Sequence, residues 1–115
     1  MRGNCLFCKI VSGEAPATIV RDGTRTLAFR DINPQAPIHV LVIPKDHHPT
    51  AAAMATADPE LAAEILRETA AVAADEGIAD SGYRVVFNTG ARAGQTVYHA
   101  HAHVLGGRGM AWPPG

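Results

Sequence analysis

Cysteine is scarce in this chain, neither sign of charge predominates, and no apolar run is long. Each shortage narrows what the protein is. Only two of the 115 residues are cysteine, Cys5 and Cys8, spaced C-x-x-C. In a reducing compartment that spacing favours metal or redox chemistry over a structural disulfide. Ten basic residues face eleven acidic ones, for a formal net charge of -1. There is thus no basic footprint for nucleic acid and no polybasic patch for a membrane. Any bound anion must be held by local groups. No apolar run approaches the length of a transmembrane helix. The start, "MRGNCLFCKI", lacks the long apolar stretch of a secretory signal, so a cytoplasmic protein is expected. Internal repeats, low-complexity tracts and interdomain linkers are missing too.

What is there is ordinary globular material. Apolar residues make up 47% of the chain, enough for a packed core. The length suits one domain spanning residues 1–115. "CLFCKIVSG" predicts a short helix ending near Gly13. "ATIVRDG" and "TRTLAFRD" predict strands around an Asp-Gly turn. "NPQAP" predicts a loop, and "IHVLVIP" a central strand stopped by Pro44. "DPELAAEILRETAAVAADEG" is the clearest helix. Asp58 can cap it and Pro59 suits its first position. Leu61, Ile65, Leu66, Thr69, Val72 and Ala73 form its apolar face, and Gly77 ends it. "YRVVFNTG" predicts a strand with Asn88 at its end, "ARAGQT" a loop, and "VYHAHAHVLGG" a last strand. This order argues for an α+β domain with a largely antiparallel sheet.

Three of the six histidines, His99, His101 and His103, alternate within that last segment. In a strand all three point to one face, and Ala100 and Ala102 to the other. At a rise of roughly 3.3 Å per residue, the outer two backbones lie about 13 Å apart. That is too far for all three rings to converge easily on one zinc. Neutral imidazole is a nucleophile, an acid or base, and an anion donor near pH 7. A row of three suits a reaction that proceeds along a line, as phosphoryl or nucleotidyl transfer does. The loop "NTGARAGQT" before it supplies Asn88, Gln95 and Thr96 as donors. Its glycines, Gly90 and Gly94, let backbone amides turn toward an anion.

"HAHAHVL" matches the histidine-triad pattern His-φ-His-φ-His-φ-φ, where φ is apolar. With "DINPQAP", "GYRVVFNTG", "GGR" and the closing "WPPG", nearly the whole chain resembles the histidine-triad (HIT) family. It is most similar to the Hint branch, the purine nucleoside phosphoramidases. The resemblance implies a five-stranded antiparallel sheet with one long and one short helix, continued across a homodimer. It implies hydrolysis of a nucleoside 5'-phosphate joined to an amine or another leaving group. His101, the middle histidine, attacks the α-phosphorus and forms a nucleotidyl-histidine, which water releases as the nucleoside monophosphate. By the same resemblance His99 supports His101, His103 contacts the phosphate or leaving group, and His39 is a fourth histidine near the triad. Asp31 and Ile32 match the segment holding the ribose, and Asp31 can accept from both hydroxyls. Phe7 and Phe29 match the apolar wall around the purine base, though simple core packing accounts for them equally. Asn88, Gly94, Gln95 and Thr96 match the phosphate-side loop. Trp112 resembles a C-terminal tryptophan that reaches toward the partner subunit's site.

Some bacterial-type members of the family combine C-x-x-C with a histidine after "VIPK" and bind zinc. On that resemblance Cys5, Cys8, His47 and His99 form a structural zinc site, with His48 as the second choice for His47. A closed four-ligand site has no open position for catalysis. Two free, half-buried thiols are the competing reading. For function, the rivals are a dinucleoside polyphosphate hydrolase and a nucleotide-binding adaptor. The "GGR…WPPG" ending favours the phosphoramidate branch over the first. An intact middle histidine argues against a pure binder, which needs no nucleophile.

Overall fold

The computed structural model describes residues 4–115. In chain order its elements are α1 (Leu6–Ser12), β1 (Ile19–Asp22), β2 (Thr26–Arg30), β3 (Ile38–Pro44), α2 (Ala51–Ala57), α3 (Pro59–Asp75), β4 (Tyr83–Val86), a 3-10 turn (Ala91–Ala93) and β5 (Ala102–Gly106). The five strands form one antiparallel sheet in the order β1-β2-β3-β5-β4. The expected α+β architecture is present. It carries a second short helix, α2, that hydropathy alone does not reveal. Its run of alanines, broken only by Met54 and Thr56, has no strong apolar stripe. It starts where the Thr50 side chain accepts from the Ala53 amide.

β3 lies in the middle of the sheet, and its seven residues are almost wholly buried. That explains its unbroken apolar run. The pleat sends Val40 and Val42 to one face and His39, Leu41 and Ile43 to the other. On the first face they join Ala28, Ala102 and Val104 beneath α3, whose Leu61, Ile65, Val72 and Ala73 are buried against them. Burying a side chain such as Leu61 or Ile65 contributes about 1.5–3 kcal/mol. α3 begins as its sequence predicts: the Asp58 carboxylate accepts from the Leu61 amide, and Pro59 opens the helix. Leu66 departs from the expected apolar face, being 56% exposed. Arg21 clamps β1 to α3 through ion pairs with Glu68 and Asp75.

The other face of the sheet carries Leu27, Phe29, Leu41 and Ile43 under Phe7 of α1. α1 therefore lies on the side of the sheet opposite α3, and the site forms there. β5 ends at Gly106, where an added Cβ would come within 2.5 Å of the Ile78 side chain. A glycine is needed for that close approach. Among the described residues no helix is long and apolar enough to cross a membrane.

Candidate active site and metal centre

The histidine row is not one straight strand. β5 begins only at Ala102, so His99 and His101 stand in the extended loop before it and His103 alone lies within the ladder. The strand predicted from Val97 onward starts late because the loop backbone pairs elsewhere. The Ala100 amide donates to the His48 carbonyl at 2.7 Å, outside the sheet register. This frees the three rings to turn to different tasks.

His99 is fully buried and sits on the carbonyl of Pro44. Its Nε2–H donates to that carbonyl at 2.7 Å. In a neutral imidazole this leaves Nδ1 with a lone pair. Nδ1 lies 3.4 Å from Cys5 Sγ and 3.5 Å from Cys8 Sγ, and His47 Nδ1 lies 3.4 Å from Cys8 Sγ. Two ligands of a tetrahedral zinc, with Zn–S about 2.3 Å and Zn–N about 2.0 Å, lie about 3.5 Å apart. All four ligand atoms fall within 4.8 Å of one another. Burial holds His99 neutral, its pKa pushed down to about 4. Donor types, spacing and tautomer thus fit a closed structural zinc. Cys5 reaches it by capping α1, its sulfur accepting from the Cys8 amide. His47 supplies the fourth ligand atom. His48 instead contributes its carbonyl to Ala100.

His101 has the opposite tautomer. Its Nδ1–H donates to the His99 carbonyl at 2.8 Å, so Nε2 carries the lone pair. Phe7 stands edge-on to its ring, with centroids 5.0 Å apart, and packs also against His99 at 5.9 Å. One phenylalanine, lodged between Cys5 and Cys8 in sequence, therefore buttresses both histidines.

His39 and His103 make a pair. They are diagonal neighbours on one sheet face, since Leu41 stands opposite His103 in the register. The Gln35 backbone amide donates to His39 Nδ1 at 3.0 Å. The His39 proton is therefore on Nε2, 2.9 Å from His103 Nδ1 and 3.4 Å from Asp31 Oδ2. Accepting at Nδ1 puts the His103 proton on Nε2, a buried atom with no hydrogen-bond partner. Burial lowers the pKa of His39 and His101, and the negative Asp31 works against it in both. Burial, with His101 and His39 beside it, pushes His103 down to about 4. Burial thus favours the neutral form of all three rings.

His101 and His103 line a cleft of about 340 Å³. Leu6, Phe7, Ile10, Phe29, Ile32 and Leu41 form its apolar side, and Asp31, Gly94 and Thr96 border it as well. Ile32 is 95% exposed, whereas Phe7 and Phe29 are buried in the core. Gly94 turns with φ 89°, a left-handed conformation that glycine adopts freely. Two residues of the expected phosphate-side loop lie elsewhere. Gln95 is buried, accepts from the Gly90 amide and donates to the Pro49 and Val97 carbonyls. Its side chain braces the loop and does not line the cleft. Asn88 stands beyond the end of β4, which closes at Val86, in a shallow depression shared with Trp112. Trp112 is 83% exposed, on a tail held to β4 by the Arg84 guanidinium donating to the Ala111 carbonyl. A wider groove of about 520 Å³ lies beside Arg21, Glu64, Glu68 and Asp75. Arg21 is spent there on its ion pairs, and no histidine or cysteine lines the groove.

Sequence reasoning missed the backbone groups that set these tautomers: the Pro44 and His99 carbonyls and the Gln35 amide. No side-chain pattern reports them. Leu41 was legible as strand core but not as cleft wall.

The family model of the HIT domain matches residues 12–110. The chain is 49% identical over 115 residues to an uncharacterized HIT-like protein of Synechocystis sp., covering all of both chains. It is 48% identical over 112 residues to a 14 kDa zinc-binding protein of Zea mays, covering 96% of this chain and 87% of that one. The crystal structure of a HIT family hydrolase from Legionella pneumophila is similar with a TM-score of 0.93 and 54% identity, over 97% of this chain and 100% of that one.

Proposed function

The chain belongs to the HIT domain family, and we propose on that basis that it is a hydrolase of nucleoside 5'-phosphoramidates. One observation carries the reading. His101 has a lone pair on Nε2, and His103 a buried, unspent N–H, on rings 4.9 Å apart that line the same cleft. A nucleophile beside a donor is what in-line displacement at phosphorus requires.

In the proposed reaction His101 Nε2 attacks the α-phosphorus. The P–N bond breaks as the His101–phosphorus bond forms, and the amine departs with a proton. Attack raises positive charge on His101, and the His99 carbonyl on its Nδ1–H stabilises that charge. The His103 donor serves the phosphoryl oxygen or the departing nitrogen. Water then attacks phosphorus and gives up a proton as the His101–phosphorus bond breaks, which releases the nucleoside monophosphate and returns the lone pair to His101 Nε2. Asp31 takes ribose hydroxyls, the apolar side with Ile32 takes a purine, and Thr96 with the Gly94 turn borders the phosphate. Cys5, Cys8, His47 and His99 hold a structural zinc, which fixes the loop carrying His101 when bound. The zinc-binding relative and the hydrolase neighbour support these two parts of the reading.

The reading extends to a cytoplasmic homodimer. β4 is an edge strand with the Trp112 tail beside it, which supports a sheet continued into a second copy.

The test offers adenosine 5'-phosphoramidate and a diadenosine polyphosphate to wild type and His101→Asn. AMP release from the phosphoramidate by wild type alone is the expected result. Preference for the polyphosphate moves the chain to the other hydrolase class. Nucleotide binding without turnover makes it an adaptor. Activity surviving in His101→Asn overturns the covalent route.

A further inference from the structure

His39 holds one proton on Nε2 and has two acceptors in reach. His103 Nδ1 is at 2.9 Å and Asp31 Oδ2 at 3.4 Å. The other Asp31 oxygen is already engaged by the Asn33 amide at 2.8 Å. Oδ2 takes no backbone amide and is the oxygen nearer His39, and Asp31 borders the cleft together with His103. The three side chains also have the donor set of a metal site. The Gln35 amide argues against that use. It takes the Nδ1 lone pair of His39, so a cation at Nε2 would force a proton onto Nδ1, against the amide hydrogen. The arrangement is a proton-sharing one.

We infer that Asp31 is a positioning residue through which the sugar sets the tautomer of His103. The inference deepens the phosphoramidase reading and rests on it. With no hydroxyl on Oδ2, the carboxylate competes with His103 for the single His39 proton. When His39 turns toward Asp31, His103 Nδ1 loses its donor. Its own proton is then free to move to Nδ1, and Nε2 stops being a donor. A ribose hydroxyl donating to Oδ2 satisfies the carboxylate. The His39 proton then belongs to His103, and the Nε2–H of His103 is fixed for the phosphate. In this step the hydrogen bond from His39 passes from Asp31 to His103, and any His103 proton that had moved to Nδ1 returns to Nε2, one N–H bond breaking as the other forms.

The consequence is a sugar effect on rate, not only on binding. Adenosine and 2',3'-dideoxyadenosine 5'-phosphoramidates are compared on wild type and Asp31→Ala. On wild type the dideoxy substrate is expected to lose about tenfold or more in kcat, a part of the roughly 10²–10⁴-fold that a general acid contributes. On Asp31→Ala, with no competitor for the proton, the two sugars are expected to share one kcat, and KM rises for the ribose substrate. A wild-type difference confined to KM overturns the inference, because it means uniform binding. An equal sugar effect on kcat in both proteins overturns it as well.

A second measurement does not depend on turnover. Long-range proton–nitrogen correlation spectra of the imidazoles, recorded with AMP and with 2',3'-dideoxy-AMP, report the tautomer of His103. Nε2–H alone with AMP and a mixture with the dideoxy nucleotide is expected; one identical tautomer in both overturns the inference. Phosphoramidate hydrolysis without a tautomer difference fails the inference and keeps the enzyme reading. A tautomer difference without hydrolysis does the reverse. Failure of both nucleotides to bind ends both.

Discussion

His39 Nε2 and His103 Nδ1 lie 2.9 Å apart across the β3–β5 ladder, although 64 residues separate them in sequence. The Gln35 amide on one ring fixes the direction of the bond between them. The nitrogen facing away from the bond, on His103, becomes a donor. The ladder thus converts one backbone amide into an oriented imidazole at the cleft.

Removing the first ring of this pair should expose its role. His39→Ala is expected to lower kcat by about 100-fold, with a smaller change in KM, because His103 loses the partner that fixes its proton. His39→Gln, whose amide can still donate, should recover part of the loss. Steady-state kinetics on the phosphoramidate check this. Equal kcat in His39→Ala and His39→Gln would point to packing alone.

Zinc should be bound at one per chain and should stabilise the fold. Cys8→Ser is expected to reduce zinc to a small fraction of that, read by elemental analysis. A lost stabilisation of about 3 kcal/mol lowers the melting temperature of a domain this size by about 10–20 °C. A chelator should act on wild type in the same direction and leave Cys8→Ser unmoved. Full zinc content in Cys8→Ser would rule out the four-residue site.

Acid should destabilise the protein before its carboxylates titrate. His103 is pushed down to about 4 in the folded chain, and His39 is lowered too, by burial. In the unfolded chain both titrate near 6.5. Between those values the unfolded state binds more protons, so stability rises with pH. The contribution is complete above about pH 6.5 and is lost as pH falls toward 4. Calorimetry should show the melting temperature dropping steadily from pH 7 to 4, with a shallower slope in His103→Gln. A flat profile between pH 7 and 5 would contradict burial of the neutral rings.

Much of this was legible in the residues. The cap at Asp58, the proline after it and the 3.6-residue spacing give α3 its start and its buried face without reference to anything distant. The apolar run of β3 predicts a central strand for the same reason: local composition matches the local environment. Leu66 escaped because the width of a buried stripe depends on what packs against it. α2 escaped because its alanines carry little periodic signal. Asn88 and Gln95 carry donors suited to a phosphate, but donors serve whatever acceptor the fold brings near. For Gln95 those acceptors were backbone carbonyls.

By itself the sequence determined which groups the protein has for chemistry: three alternating histidines, a C-x-x-C pair and a histidine after Lys45. It determined the helices and strands wherever their pattern is local. Only the tertiary structure decided which partner each imidazole meets. Three residues of identical chemistry diverge because the Pro44 carbonyl holds one proton, the His99 carbonyl another, and His39 sets the third. An imidazole has one proton and two nitrogens, so which nitrogen is left for chemistry follows from the partner the other one meets. His101 finds that partner two residues away, but for His99 and His103 it comes from Pro44 and His39, far away in the chain, through a fold that no short stretch of sequence encodes.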